Sequence, residues 1–110
     1  MSWNAIRFDW NRARAFLVAA EEGSLSAAAR ALGVAQPTLG RQVEQLEEEL
    51  GLTLFERDKR GIQLTPAGLE LLAHARNMAD AASGFSICAA GQTTGIKGKI
   101  SIAASETIAA

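Results

Sequence analysis

The stretch from Leu25 to Leu50, LSAAARALGVAQPTLGRQVEQLEEEL, constrains the fold most. Leu25, Ala28, Ala29 and Leu32 recur at helical spacing, and so do Leu39, Val43, Leu46 and Leu50. Only Gly33 to Ala35 and the Pro37 region separate the two rows. Gly33 suits the left-handed residue that ends a helix, and Pro37 suits the first turn of the next, where a missing N–H costs nothing. The alanines let the two helices approach closely. The reading is two short helices joined by a tight turn, a helix-turn-helix. Ser26 or Ser24 is expected as the first helix's N-cap, and Val34 as the plug of the corner.

The flanking segments extend the unit. Asp9 can cap a helix from Trp10 to about Glu22, with Trp10, Ala13, Leu17 and Ala20 as its buried stripe and Phe16 beside it. Arg12 and Arg14 fall on the solvated side, and Glu21-Glu22-Gly23 ends the helix. After Gly51 the period changes. Leu52 to Arg57 and Gly61 to Thr65 read as two strands around the turn Asp58-Lys59-Arg60-Gly61, a hairpin wing with a basic tip. Thr65 then caps a long helix with Pro66 at its first position, running to roughly Cys88. Along it Leu71, Ala75, Met78, Ala82 and Phe85 alternate in steps of four and three. That heptad-type seam wants a partner helix, so these five are the expected dimer interface. Gly91 to Gly95 reads as a linker, and Gly98 to Ala104 alternates like a strand. One strand cannot stand alone, so the chain reads as cut just inside a second domain.

The expected fold is therefore mainly α. A winged helix-turn-helix of three helices and a β-hairpin occupies residues 9–65. A linker and dimerisation helix follows over 66–90, with a hinge and the first strand of a truncated effector-binding domain over 91–110.

Composition limits the functional classes. At 110 residues and 48% hydrophobic, the chain is long enough for one small globular domain and too apolar for a disordered one. Its longest apolar run is Ala15 to Ala20, far short of a membrane span. Neither an export signal nor paired cysteines stand in the sequence, which points to the cytoplasm. No Ser-His-Asp set, phosphate-binding loop or dinucleotide fingerprint is present, and His74 has no neighbouring ligand residues, so no enzyme and no metal or cofactor is expected in this chain. The net charge of −1 runs against nucleic-acid binding, for which a basic domain is the usual footprint. Placement answers that objection. Gly23 to Val43 holds Arg30 and Arg41 and no acid, while Glu44 and Glu47-Glu48-Glu49 gather at the far end of the second helix. The three consecutive acids read as an exposed face kept away from phosphates.

A helix-turn-helix presents the N-terminal residues of its second helix to base edges in the major groove. Here those residues are Gln36, Pro37, Thr38, Arg41 and Gln42. Gln36 can pair with adenine, Arg41 can reach guanine or phosphate, and Thr38 offers a hydroxyl and a methyl. Arg57, Lys59 and Arg60 on the wing would hold the flanking backbone or enter the minor groove.

These residues carry a resemblance. Phe16-Leu17-Val18-Ala19, Gly23-Ser24-Leu25-Ser26-Ala27-Ala28-Ala29, Gln36-Pro37-Thr38-Leu39-Gly40-Arg41-Gln42, Leu46-Glu47-Glu48-Glu49-Leu50-Gly51, Leu54-Phe55-Glu56-Arg57 and Leu64-Thr65-Pro66-Ala67-Gly68 stand in order at matching spacing. Together they resemble the DNA-binding domain and linker helix of LysR-type transcriptional regulators, over residues 9 to about 88. Gly98 to Ser105 also looks like the first strand of that family's effector-binding domain. The resemblance implies a bacterial, sequence-specific regulator that binds promoter DNA as a dimer through paired linker helices. It adds Ser26 to the DNA-facing set and a small-molecule effector, held by a second domain that also supports tetramers. Two positions depart from the family pattern. Gly40 and Ala35 stand where serine is frequent, costing about 1 kcal/mol each in helix propensity and capping. Other classes are a winged helix used only for protein interaction or dimerisation, which would show no salt-dependent duplex binding, and an enzyme whose site lies in another domain. The molybdate-responsive regulators have a similar winged helix, but Gln36-Pro37 and the Leu46–Gly51 block favour the LysR type.

Overall fold

The computed structural model describes residues 1–98. Residues Met1–Asn77 form one compact unit, and a second begins at Met78. After a short 3-10 turn at Trp3–Ala5 come α1 (Trp10–Glu22), α2 (Leu25–Leu32) and α3 (Gln36–Leu50). The hairpin β1 (Phe55–Asp58) and β2 (Gly61–Leu64) follows, then α4 (Pro66–Gly98). The winged helix-turn-helix expected from the sequence is the observed fold.

The helix starts have identifiable causes. Asp9 caps α1 by accepting from the Asn11 N–H at 2.7 Å. Ser24, not Ser26, caps α2, accepting from the Ala27 N–H at 3.0 Å. At the other end of α2, Gly33 takes the left-handed conformation with φ 69°. Its N–H donates to the Arg30 carbonyl, and the Val34 N–H donates back to the Ala29 carbonyl. This paired closure fixes the turn of the helix-turn-helix through backbone bonds. Val34 itself is 37% exposed, so it does not plug the corner as expected. The α3 N-terminus has no side-chain cap, because Ala35 offers no acceptor.

Leu39, Val43 and Leu46 bury the inner face of α3 as their spacing predicts. On α1 the buried face is broader than the expected stripe. Ala13, Ala15, Phe16, Leu17 and Ala19 are buried, while Trp10 and Ala20 are only half-buried. Arg12 is likewise not simply solvated: its guanidinium donates to the Glu49 carboxylate at the end of α3. Phe16 meets Phe55 with ring centroids 5.4 Å apart, tying α1 to the start of the wing.

The wing is shorter than its sequence suggests. Pairing runs from Phe55↔Leu64 to Asp58↔Gly61, around a two-residue turn of Lys59 and Arg60. Leu52 to Leu54 are not in the ladder because other groups take their backbone. The Glu47 carboxylate accepts from the Leu54 N–H at 2.7 Å and the Phe55 N–H at 3.2 Å. The Leu52 N–H donates to the Glu47 carbonyl. Thr65 closes the other side. Its hydroxyl donates to the Thr53 carbonyl at 2.6 Å and accepts from the Gly68 N–H at 3.0 Å, capping α4. Glu47 is therefore a bracket between α3 and β1, which corrects its expected place on a solvated acidic face.

The first turns of α4 belong to the domain. Leu72 and Ala75 are buried in its core, and Arg76 donates to Glu21 at the end of α1. That bond and the adjacent charge raise the guanidinium pKa above its ordinary value. Ala75, 2% exposed, is thus a core residue and is withdrawn from the expected dimer seam. The same helix continues to Gly98, past the expected end near Cys88 and through the Gly91–Gly95 segment read as a linker. Glycine lowers helix propensity but does not remove the backbone donor, so the i→i−4 ladder can pass through where proline would break it. The expected strand over Gly98–Ala104 meets helix at Gly98 and otherwise lies outside the described residues.

Candidate nucleic-acid interface

Three elements converge on one face. The N-terminal end of α3 carries Gln36 and Pro37, both exposed, then half-buried Thr38 and Gln42 with exposed Arg41 between them. Pro37 lacks an N–H, and Ala35 gives the remaining first-turn donors of α3 no side-chain acceptor. Such a helix end attracts negative charge. Leu39 and Val43, fully buried on the inner side, set the rotation of the helix that turns Arg41 to solvent.

Beside this end lies a shallow groove of about 290 Å³, lined by Ser24, Leu25, Ser26, Gln36, Arg57, Asp58, Gly61 and Ile62. It brings together Ser26 of α2, Gln36 of α3 and Arg57 of β1, three residues expected from sequence to act together. Leu25 and Ile62 supply its apolar lining, and Ser24 is occupied as the α2 cap. These extra positions were not in the expected set, because only the packing of the wing against α2 brings them there. Ser26 is half-buried in the first turn of α2, its hydroxyl accepting from Arg30 at 3.0 Å.

The wing cations differ from one another. Lys59 and Arg60 occupy the exposed turn. The Arg60 N–H donates to the Asp58 carboxylate at 2.8 Å, which shapes the turn, and its guanidinium lies 3.9 Å from the same group. Arg57 lies 3.6 Å from the Glu44 carboxylate on α3. Lys59 and Arg41 make no ion pair among the described residues. Gly40, between the reading residues, has ordinary helical backbone. A Cβ there would meet only Leu25 Cδ1, at 4.0 Å, so no steric demand for glycine exists in the free domain.

Of the expected dimer seam, Leu71, Met78 and Ala82 are half-buried and Phe85 is 78% exposed. Ile87 and Leu69 are also exposed, and neither was in that set. No helix among the described residues is long and apolar enough to cross a membrane, and no cluster of metal-ligating side chains occurs among them.

The arrangement has close counterparts. Residues 10–69 match the family model described as bacterial regulatory helix-turn-helix protein, lysR family. The transcriptional regulator TfdS of Cupriavidus pinatubonensis is 51% identical over 70 residues, covering 64% of this chain and 24% of that protein. The chain thus spans about a quarter of the length of that relative. Among solved structures, a complex of the CbnR DNA-binding domain with DNA is 41% identical with a TM-score of 0.67, over 76% of this chain and 99% of that one. The BenM DNA-binding domain with catB site 1 DNA is 33% identical with a TM-score of 0.73, over 80% and 99%. With the fold, the order of elements and the residues of the helix-turn-helix all in agreement, the chain belongs to the LysR family of bacterial regulatory helix-turn-helix proteins.

Proposed function

We propose that this chain is the DNA-reading part of a sequence-specific transcriptional regulator. The N-terminal end of α3 enters the major groove, where Gln36, Thr38 and Arg41 meet base edges. Ser26, Pro37 and Gln42 border that contact, and Arg57, Lys59 and Arg60 hold the backbone or minor groove beside it. The convergence of Ser26, Gln36 and Arg57 on one groove carries this reading. The relatives solved with DNA support it.

The protein acts on promoter DNA in the cytoplasm as a homodimer. Leu71, Met78, Ala82 and Phe85 on α4 are the proposed contact between copies, and tetramers would form in a longer protein. The DNA-reading unit needs no cofactor; a small-molecule effector would be bound by a second domain. The reading gives the chain no catalytic role, and the relatives carry the names of regulators.

Selection of bound duplexes from a random pool, followed by a salt titration on the winner, tests the reading. Two-fold symmetric half-sites and a steep salt dependence are expected. A domain used only for protein interaction, which the net charge of −1 favours, would select no site. On the selected site, Arg41→Ala and Gln36→Ala should each lower discrimination by about 1–3 kcal/mol. Equal losses on random DNA would restrict both residues to phosphate contact.

A further inference from the structure

Arg57 is the wing arginine that lines the groove next to Gln36 and Ser26, yet it is not a free cation. Its guanidinium lies 3.6 Å from the carboxylate of Glu44, and both side chains are about half exposed. Glu44 stands three residues after Arg41, so it occupies the next turn of the same face of α3, immediately behind the reading end. It makes no ion pair with Arg41; its partner is on the wing. We propose that Glu44 is a positioning residue that restrains Arg57 against α3, so that the wing engages DNA by exchanging a carboxylate partner for a phosphate.

The physical case rests on competition. A guanidinium binds carboxylate and phosphate with the same donor geometry, so it cannot serve both fully. An exposed ion pair is weak enough for a phosphate to displace it. Glu44 thereby sets how much the wing adds to binding and leaves the base-reading residues of α3 a larger share of the total. This rests on the DNA-binding reading above.

A double-mutant cycle tests it on the full chain, with the selected duplex as the probe. Thermal unfolding of each variant is measured alongside, to show that the fold is retained. The range measured for exposed pairs corresponds to roughly 1.5- to 5-fold in affinity. Glu44→Gln should therefore tighten binding by that factor when Arg57 is present, and leave affinity unchanged in an Arg57→Ala background. The same gain in both backgrounds would mean that Glu44 merely repels phosphate, and would overturn the proposal. No gain, or weaker binding, in Glu44→Gln would overturn it as well. Failure of the unmodified chain to select any duplex would instead remove the DNA-binding reading itself, before any variant is compared.

Discussion

Gly68→Ala measures how tightly α4 is locked to the rest of the domain. Gly68 is the third residue of α4 and is buried. A Cβ there would lie 2.3 Å from the Leu54 carbonyl oxygen, 3.1 Å from its carbon and 3.0 Å from Leu64 Cδ2. A carbon–oxygen contact is comfortable at about 3.3 Å, so something must move by about 1 Å. The backbone of Leu54 cannot yield cheaply. Its carbonyl accepts from the Thr65 N–H at 3.0 Å, its N–H is held by Glu47, and its side chain is fully buried. If the helix start moves instead, the Thr65 cap is lost, at about 1 kcal/mol, with about 1 kcal/mol for each further hydrogen bond broken. Overpacking adds about 1–3 kcal/mol. With one such bond broken and about 1 kcal/mol returned by alanine's helix propensity, the net loss is about 2–4 kcal/mol. For a domain of this size that lowers the melting temperature by roughly 8–30 °C. Gly40→Ala is the internal control, because its Cβ meets only Leu25 Cδ1 at 4.0 Å. The same replacement should there raise the melting temperature by about 4–8 °C. Circular-dichroism melts at matched protein concentration report both. A Gly68→Ala melt within about 4 °C of the unmodified chain would refute the close approach of helix and Leu54 carbonyl.

Glu47→Ala leaves the Leu54 and Phe55 N–H groups without their acceptor, so urea unfolding should show a loss of about 2–3 kcal/mol. Glu47→Gln, which keeps one acceptor oxygen, should cost less than half of that. Lys59→Ala should weaken all duplexes similarly and reduce the slope of log affinity against log salt by about one; an unchanged slope rules out a wing-tip phosphate contact. Met78→Asp puts a charge into the apolar row of α4, and sedimentation should then report monomer. A persistent dimer would exclude that row as the interface.

What the sequence revealed follows its local chemistry. The two boundaries of α2 are local: a serine ahead of it and a glycine behind it, bonded to atoms within five residues. The inner face of α3 is legible for the same reason, since three buried residues recur at helical spacing. Glu47, Glu48 and Glu49 show where local reading stops. All three look alike in sequence, but Glu47 brackets the backbone of Leu54 and Phe55, Glu49 pairs with Arg12 across 37 positions, and Glu48 is exposed. Only tertiary packing separates them. Ala75 marks the same limit. Its heptad position is correct, but a heptad pattern does not say whether the facing surface is a second chain or the domain's own core, and here it is the core. The α4 end is illegible for another reason: glycine and threonine composition suggests a linker without forbidding a helix.

The distribution of bonds, more than the net charge, decides how this domain can approach a polyanion. Asp9 is engaged at the α1 cap, Glu21 with Arg76, Glu47 with two backbone N–H groups and Glu49 with Arg12. Each lies at an element end where it closes the domain, and none lines the groove between wing and α2. Glu44 on α3 and Asp58 on the wing are each paired with a wing arginine. Among the described residues Arg41 and Lys59 make no ion pair, one at the reading end of α3 and the other at the wing tip. Over a Debye length of about 8 Å at physiological salt, a phosphate near either cation feels that local charge more than the sum over the chain. A chain of net charge −1 can therefore present a locally cationic edge, and the Arg57–Glu44 pair is the place where that edge is adjusted.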